Sequence, residues 1–148
     1  MTDPTTHVMP GVPVAARWLG LSGLIPFVGL AMLMLIGWPE GARGVLLGYG
    51  VAILSFMGGC RWGFAATGMG EGPDWVPLIV SVLPALYAWV VMWLPGPFGF
   101  FGLALGFILL FSADQRLTRQ GGAPDWWPAL RLPLTIGAAG SLTLAGFL

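Results

Sequence analysis

Long apolar stretches alternate with short polar segments along the chain. Each stretch is close to the roughly 20 residues that a helix needs to cross a hydrocarbon core of about 30 Å. We predict five membrane-spanning helices, over residues 16–36, 44–65, 75–94, 98–113 and 130–148. The fourth is the shortest, and its helix is predicted to continue beyond the membrane through Arg119. The pattern predicts an all-α integral membrane protein, with a polar tail over residues 1–13 and a single five-helix domain over residues 14–148.

Prolines and glycines mark where these helices begin, bend and end. Asp74 is predicted to cap the third span, which has Pro77 in its first turn. The sequence Pro95-Gly96-Pro97 predicts a tight reversal between the third and fourth spans. Pro26 lies inside the first span, where it predicts a kink. Such a kink is tolerated in a membrane because neighbouring helices can satisfy the carbonyl that proline leaves free.

Arginine is distributed unequally between the two sides of the predicted bundle. With five spans, the N-terminus and the second and fourth connections share one side, and Arg43 is alone on the other. The first side carries Arg17, Arg61, Arg116, Arg119 and Arg131. Because positively charged loops stay in the cytoplasm, we predict a cytoplasmic N-terminus and a periplasmic C-terminus in the bacterial inner (cytoplasmic) membrane.

Composition agrees with a membrane location and excludes several classes of protein. Hydrophobic residues make up 57% of the chain and charged residues 8%, whereas soluble domains are roughly 25% charged. The net charge is +0, so the chain has no basic surface for nucleic acid. The first dozen residues contain no arginine or lysine, so we expect the first apolar stretch to be retained rather than cleaved as a signal peptide.

The scarcity of reactive side chains argues against catalysis. Cys60 is the only cysteine and His7 the only histidine. A Cys-x-x-Cys site, a bis-histidine haem site and a Ser/His/Asp triad therefore cannot be built from this chain alone. We predict no cofactor, no metal site and no enzymatic activity.

Three charged residues are predicted to meet at the arginine-rich face of the membrane. Arg61 lies about a turn inside the second span, where an unpaired cation is costly. Asp114 ends the fourth span, where a carboxylate opposes the helix dipole, and Arg131 falls in the predicted first turn of the fifth. We predict an ion pair between Arg61 and Asp114, with Arg131 sharing either Asp114 or Asp125. The alternative acidic partners are Glu71 and Asp74 for Arg61, and Asp125 for Arg131.

Two interpretations of this group stay open. It is an ion-pair cluster that fixes the register of the helices, or it forms a ligand site together with nearby tryptophans. The candidate ligand-binding residues are Arg61, Trp62, Asp114, Trp126 and Arg131.

Small residues recur four positions apart on several predicted helices, a spacing that lets two helix backbones approach closely. The pairs are Gly44 with Gly48, Gly59 with Gly63, Gly102 with Gly106, and Gly137 with Ser141. Such faces pack either inside one bundle or against another membrane protein, including a second copy of the chain. The lipid bilayer and such membrane proteins are the predicted partners.

The order and spacing of several short motifs resemble one protein family. They are Leu19-Gly20, Gly23 to Phe27, Tyr49-Gly50, Ser55-Phe56, Gly58, Trp62-Gly63, Pro124, Trp126-Trp127, Leu130-Arg131 and Leu134-Thr135. Together they resemble a "domain of unknown function" family, widespread in proteobacteria, that is similar to the mitochondrial transmembrane protein 69 of animals. The resemblance implies a five-helix inner-membrane protein with Arg61 and Arg131 inside the recurrent motifs. It supplies no catalytic residues.

These observations favour a non-catalytic accessory or assembly component of a larger inner-membrane complex. The alternative is a binder or carrier of a small apolar or anionic ligand at the cytoplasmic face, with Pro26 and Pro84 as points where helices separate. An enzyme is a third hypothesis, for which the residues name no reaction.

Overall fold

The computed structural model describes residues 11–37, 41–69 and 75–148. Within these ranges the chain forms six helices and no strand. They are α1 (Val14–Ser22), α2 (Leu24–Leu35), α3 (Gly41–Ala66), α4 (Trp75–Met92), α5 (Phe98–Arg119) and α6 (Trp127–Phe147). Since α1 and α2 together form the first apolar segment, Val14–Leu35, 5 segments are long and apolar enough to cross a membrane. The predicted all-α fold with five spans is confirmed.

The helix ends differ from the predicted bounds by a few residues. The helix of the fourth span continues through Arg119, as predicted. Two helices begin three residues earlier than predicted: α3 at Gly41 rather than near Gly44, and α6 at Trp127 rather than near Leu130. Pro128 is compatible with the earlier start of α6, because the first turn of a helix does not use the backbone N–H that proline lacks. Arg131 therefore lies in the second turn of α6 and not in its first. The predicted cap, Asp74, lies outside the described residues.

The first span is interrupted at Gly23, between α1 and α2. Pro26 follows in the first turn of α2, and its ring cannot pack beside the carbonyl of Ser22, one helical turn earlier. The hydroxyl of Tyr49, on α3, donates a hydrogen bond of 2.8 Å to the carbonyl oxygen of Gly23. The chain thus breaks one turn before the proline, and a neighbouring helix satisfies the carbonyl next to the one that Pro26 leaves free.

Helix α3 is central in the bundle: it packs most extensively on α4 and also contacts α2, α5 and α6. Helix α6 packs on α5 and on both parts of the first span. The side chains at the centre are almost fully buried and apolar: Phe27, Leu46, Leu54, Leu103, Phe107 and Leu142. Many large apolar side chains point outward around the bundle. An apolar surface of this extent is compatible with lipid and not with water.

Successive spans run in opposite directions, so one end of the bundle collects the N-termini of α1, α4 and α6 and the C-termini of α3 and α5. We call this the Arg-rich end. Its arginines are Arg17, Arg61, Arg116, Arg119 and Arg131. Which side of the membrane this end faces stays a prediction from the arginine distribution.

Candidate functional site

Asp114 joins two arginines from two other helices. Its Oδ1 accepts a hydrogen bond of 2.7 Å from Nη1 of Arg61, and its Oδ2 accepts one of 2.9 Å from Nε of Arg131. The side chain of Asp114 is 1% exposed, that of Arg131 2% and that of Arg61 10%. The predicted pair of Arg61 with Asp114 is confirmed, and Arg131 shares this carboxylate. We call these three residues the ion-pair cluster.

The cluster lies inside the bundle rather than at its rim. Each of its three residues is roughly one to one and a half turns from the end of its helix, which corresponds to about 6–8 Å along the axis. A lone charge at that depth costs several kcal/mol, and pairing recovers part of that cost. Because one residue comes from each of α3, α5 and α6, the cluster also fixes the relative positions of these helices.

Trp127 is the aromatic residue that packs against the cluster. The guanidinium carbon of Arg131 lies 5.9 Å from the centre of its ring, within the distance at which a cation interacts with an aromatic face. Phe64, from α3, meets the same ring edge-to-face, with the centroids 5.0 Å apart. The sequence predicted Trp126, and not Trp127, as a residue of the site. Its position one helical turn before Arg131 is the signal that points to it, because residues four apart share a helix face.

The two predicted tryptophans of the site lie farther out. Trp126 is half-buried and contacts the ring of Trp127, with the centroids 5.9 Å apart. Trp62 is 48% exposed on the outer surface of α3, although it directly follows Arg61 in the sequence. Consecutive residues on a helix point about 100° apart, which separates these two side chains. The structure brings together Arg61, Asp114 and Arg131 and leaves Trp62 outside the cluster.

Several buried polar atoms around the cluster have no hydrogen-bond partner among the described residues. They are Thr118 Oγ1, Trp127 Nε1, Arg131 Nη2 and Thr135 Oγ1. Thr118 lies one turn beyond Asp114 on α5, and Trp127, Arg131 and Thr135 follow one another at one-turn intervals on α6. Buried polar groups are nearly always paired, so these four atoms have unused hydrogen-bonding capacity, spread over two turns of α6 and one position of α5.

Three adjoining cavities open around Arg61. One, of about 440 Å³, lies at the Arg-rich end and is lined by α3, α4, α5 and the connection after α5. A second, of about 370 Å³, lies along α5 and is lined by Ser112, Arg116 and Gln120 as well as Arg61. We call these two the end cavities; apolar atoms form most of their lining, with a few polar groups among them. The third, of about 310 Å³, is the apolar groove between α4 and α5, with Leu83, Pro84, Tyr87 and Leu109 in its walls.

The cluster has few of the groups that hold metal ions. Within residues 11–37, 41–69 and 75–148, no group of three or more His, Cys, Asp or Glu side chains is positioned to bind a metal. The chemistry available is instead that of guanidinium, amide and indole donors, which bind phosphates and carboxylates.

The small-residue pairs divide into two kinds. Gly102 and Gly106 face α4, where Cβ atoms would lie 2.6 Å from Val91 and 2.6 Å from Tyr87, and Gly137 faces Leu24 at 2.8 Å. These glycines pack inside the bundle. By contrast, a Cβ at Gly44, Gly48, Gly59 or Gly63 would meet no atom within 4 Å.

The outward glycines of α3 belong to a continuous surface. At 100° per residue, they share one face of the helix with further small residues. We call this face the open stripe; it consists of Gly41, Gly44, Gly48, Ala52, Ser55, Gly59, Gly63 and Ala66. All of its members are exposed except Ser55, which is partly exposed. The stripe runs the full length of the helix, with the exposed side chains of Val45 and Trp62 at its edges.

Comparison with known proteins places the chain in a family. The family model described as "Protein of unknown function (DUF3429)" matches residues 12–147, nearly the whole chain. The chain belongs to the DUF3429 family. This result confirms the resemblance suggested by the motifs, since relatives of this DUF3429 protein bear the name transmembrane protein 69.

Two of these relatives come from vertebrates. Transmembrane protein 69 of Xenopus tropicalis is 38% identical over 134 residues, which cover 88% of this chain and 53% of the relative. Transmembrane protein 69 of Mus musculus is 30% identical over 129 residues, which cover 85% of this chain and 53% of the relative. The chain thus spans about half the length of these relatives. No solved structure matches it. The DUF3429 protein is a multi-pass membrane protein of a family of unknown function.

Proposed function

We propose that this chain is a non-catalytic accessory or assembly component of a larger membrane complex in the bacterial inner membrane. The observation that carries the proposal is the open stripe on α3. Small residues at the surface of a membrane helix let a second helix approach closely, and this packing is a main source of helix association in lipid. A single lipid-exposed glycine has no such consequence, but here they recur along all of α3.

The rest of the bundle supports this role. Gly102 and Gly106 of α5 already pack against α4, and Gly137 of α6 packs against α2, so the open stripe is additional to what the fold needs. The arginine excess at one end is typical of a protein inserted from the cytoplasmic side of a membrane. The location in the bacterial inner membrane and the accessory role rest on these arguments and on the short connections between helices.

The test compares glycines that differ only in their place on the surface. Gly48→Leu and Gly59→Leu put a bulky side chain on the open stripe, and Gly140→Leu puts the same side chain on an equally open position of α6. Membranes solubilised in a mild detergent are run on native gels. We expect the unmodified chain and Gly140→Leu to migrate in an assembly larger than the free chain, and the two stripe variants to migrate alone. Migration of the unmodified chain only as a monomer or self-oligomer, with nothing co-purifying, would contradict the proposal.

A second function is favoured by a different observation, the unpartnered polar atoms and cavities around the ion-pair cluster. We propose as the alternative that the chain binds or carries a small apolar or anionic ligand at the Arg-rich end. Thermal unfolding of the purified protein with lipids, haem, quinones and porphyrins tests this alternative. Stabilisation that Arg61→Gln abolishes supports it, and the absence of stabilisation by every compound contradicts it.

A further inference from the structure

The ion-pair cluster carries more positive than negative charge. Two guanidinium groups share one carboxylate, which leaves a formal charge of +1 inside the bundle. Among the residues that the structure describes, no second carboxylate lies within ion-pair distance of either arginine. Glu71 and Asp74, the alternative partners predicted for Arg61, lie outside the described residues. Within the described part of the chain the extra positive charge has no partner, which is unfavourable at this depth, so the cluster is complementary to an anion.

Arg61 is the member of the cluster that a ligand can reach. Its Nη1 binds Asp114, and within the described part of the chain its other two nitrogens make no hydrogen bond. It lines all three cavities described above. Arg131, by contrast, is 1% exposed. An anion that neutralises the cluster would therefore contact the Arg61 side.

The two sides of Arg61 differ in the polar groups that they offer. Towards the Arg-rich end, the end cavities are lined mostly by apolar atoms but add the guanidinium of Arg116 and the side-chain amide of Gln120. Towards the membrane centre, the apolar groove is walled mainly by aliphatic side chains down to Tyr87 and Gly106. From Ala113 to Gly106 the groove is roughly 10 Å long, which fits within the roughly 15 Å of one leaflet of the hydrocarbon core.

We infer that this composite site binds an anionic phospholipid, with its phosphate between Arg61 and Arg116 and an acyl chain in the apolar groove. The inference deepens the second of the proposed functions and rests on it. Guanidinium groups suit phosphate because they present several N–H donors in a plane. Basic pockets between membrane helices bind anionic headgroups in this way. A free phosphate shares the headgroup chemistry but does not use the groove.

The experiment measures thermal unfolding of the delipidated full chain in a non-ionic detergent. Three additives are compared: phosphatidylglycerol, phosphatidylcholine with the same acyl chains, and inorganic phosphate. Because a ligand that binds only the folded state raises the unfolding temperature, we expect phosphatidylglycerol to raise the midpoint by several degrees. Phosphatidylcholine and inorganic phosphate should each give less than half of that shift.

Matched variants locate the effect. Arg116 and Arg119 both lie in the last turn of α5 and are exposed, but only Arg116 lines a described cavity. We expect Arg61→Gln to abolish the shift with phosphatidylglycerol, Arg116→Gln to reduce it by half or more, and Arg119→Gln to leave it unchanged. Ala113→Phe fills the groove and part of the adjoining cavity of Arg116 without changing a charge, and should also reduce the shift. It keeps the test decisive if Arg61→Gln does not fold.

Three results would overturn the inference: equal shifts with the two phospholipids, a full shift with inorganic phosphate alone, or a shift with phosphatidylglycerol that Arg116→Gln and Ala113→Phe leave unchanged. Stabilisation by haem, a quinone or a porphyrin that depends on Arg61 would then preserve the proposed ligand-binding function and reject only the lipid. If no compound stabilises the chain, the ligand-binding function fails together with the inference.

Discussion

Asp114 is the residue on which the buried charges depend. Each of its carboxylate oxygens binds a different arginine, so removing either arginine leaves a neutral pair, whereas removing the carboxylate leaves two buried cations. The sequence indicated the pair with Arg61 because both charges are unfavourably placed alone. It left Arg131 with two possible partners, since Asp125 is nearer to it along the chain. In the structure Arg131 binds Asp114, across the interface between α5 and α6.

Substitutions in the ion-pair cluster should therefore lower the free energy of unfolding by unequal amounts, and these amounts should not be additive. We expect Asp114→Asn to lower the free energy of unfolding by about 3–5 kcal/mol, because it leaves buried charges unpaired. Arg61→Gln should cost roughly 1.5–3 kcal/mol, the contribution of a hydrogen bond to a charged group. The double variant should lose less than the two single losses added together. Equilibrium unfolding in detergent measures all three, and Arg119→Gln is the control. Strictly additive losses would contradict the coupling.

At the scale of the elements, close approach between α3 and α4 is decided at Gly58. A Cβ there would lie 2.6 Å from the backbone oxygen of Ser81 and 3.3 Å from Cβ of Pro84, whereas a Cβ at the next residue, Gly59, would meet nothing within 4 Å. Two adjacent glycines thus have opposite surroundings.

This contrast predicts opposite outcomes for the same substitution. Gly58→Ala should destabilise the protein by roughly 1–3 kcal/mol, since a backbone oxygen cannot move aside as a flexible side chain can. Gly59→Ala should be neutral or slightly stabilising, because alanine favours the helix more than glycine does. Thermal unfolding of the two purified variants provides the comparison. Equal losses of stability in the two variants would contradict close packing of α3 against α4 at Gly58.

At the scale of the whole molecule, the five spans require that the two chain ends lie on opposite sides of the membrane. The orientation depends on which side keeps the arginines. Arg43 is alone at one end of the bundle, where its guanidinium carbon lies 5.2 Å from the centre of the Phe100 ring. The other five arginines are at the Arg-rich end, which we predict to be cytoplasmic.

Reporter fusions test this orientation directly. A reporter that is active only in the periplasm should be active when fused after Leu148, and inactive when fused after Gly122 in the connection between α5 and α6. A reporter that is active only in the cytoplasm should give the reverse result and serves as the control for expression. Periplasmic activity after Gly122 without activity after Leu148 would show that the bundle is inserted the other way.

The helices themselves could be predicted because their cause is local. A stretch of about 20 apolar residues must become a helix in lipid, where each backbone polar group needs a partner within the segment. The bounds of α3 to α6 therefore differ little from those expected, and the break before Pro26 follows from the geometry of the proline ring. The one shift with consequences is the early start of α6 at Trp127, which moves Arg131 into the second turn.

The site could be predicted only in part, because its geometry depends on which helices are neighbours. The sequence alone determined the five apolar spans and the three charges that are costly without a partner. Only the tertiary structure decided that Asp114 binds both arginines and that Trp127 rather than Trp62 packs beside them. It also decided that the glycines of the open stripe on α3 face outward, whereas Gly102 and Gly106 of α5 face α4. The length of an apolar stretch is a property of one segment, and it is sufficient to predict a spanning helix. The partner of a charge or of a glycine depends on the rotation and position of other helices, which no local pattern encodes.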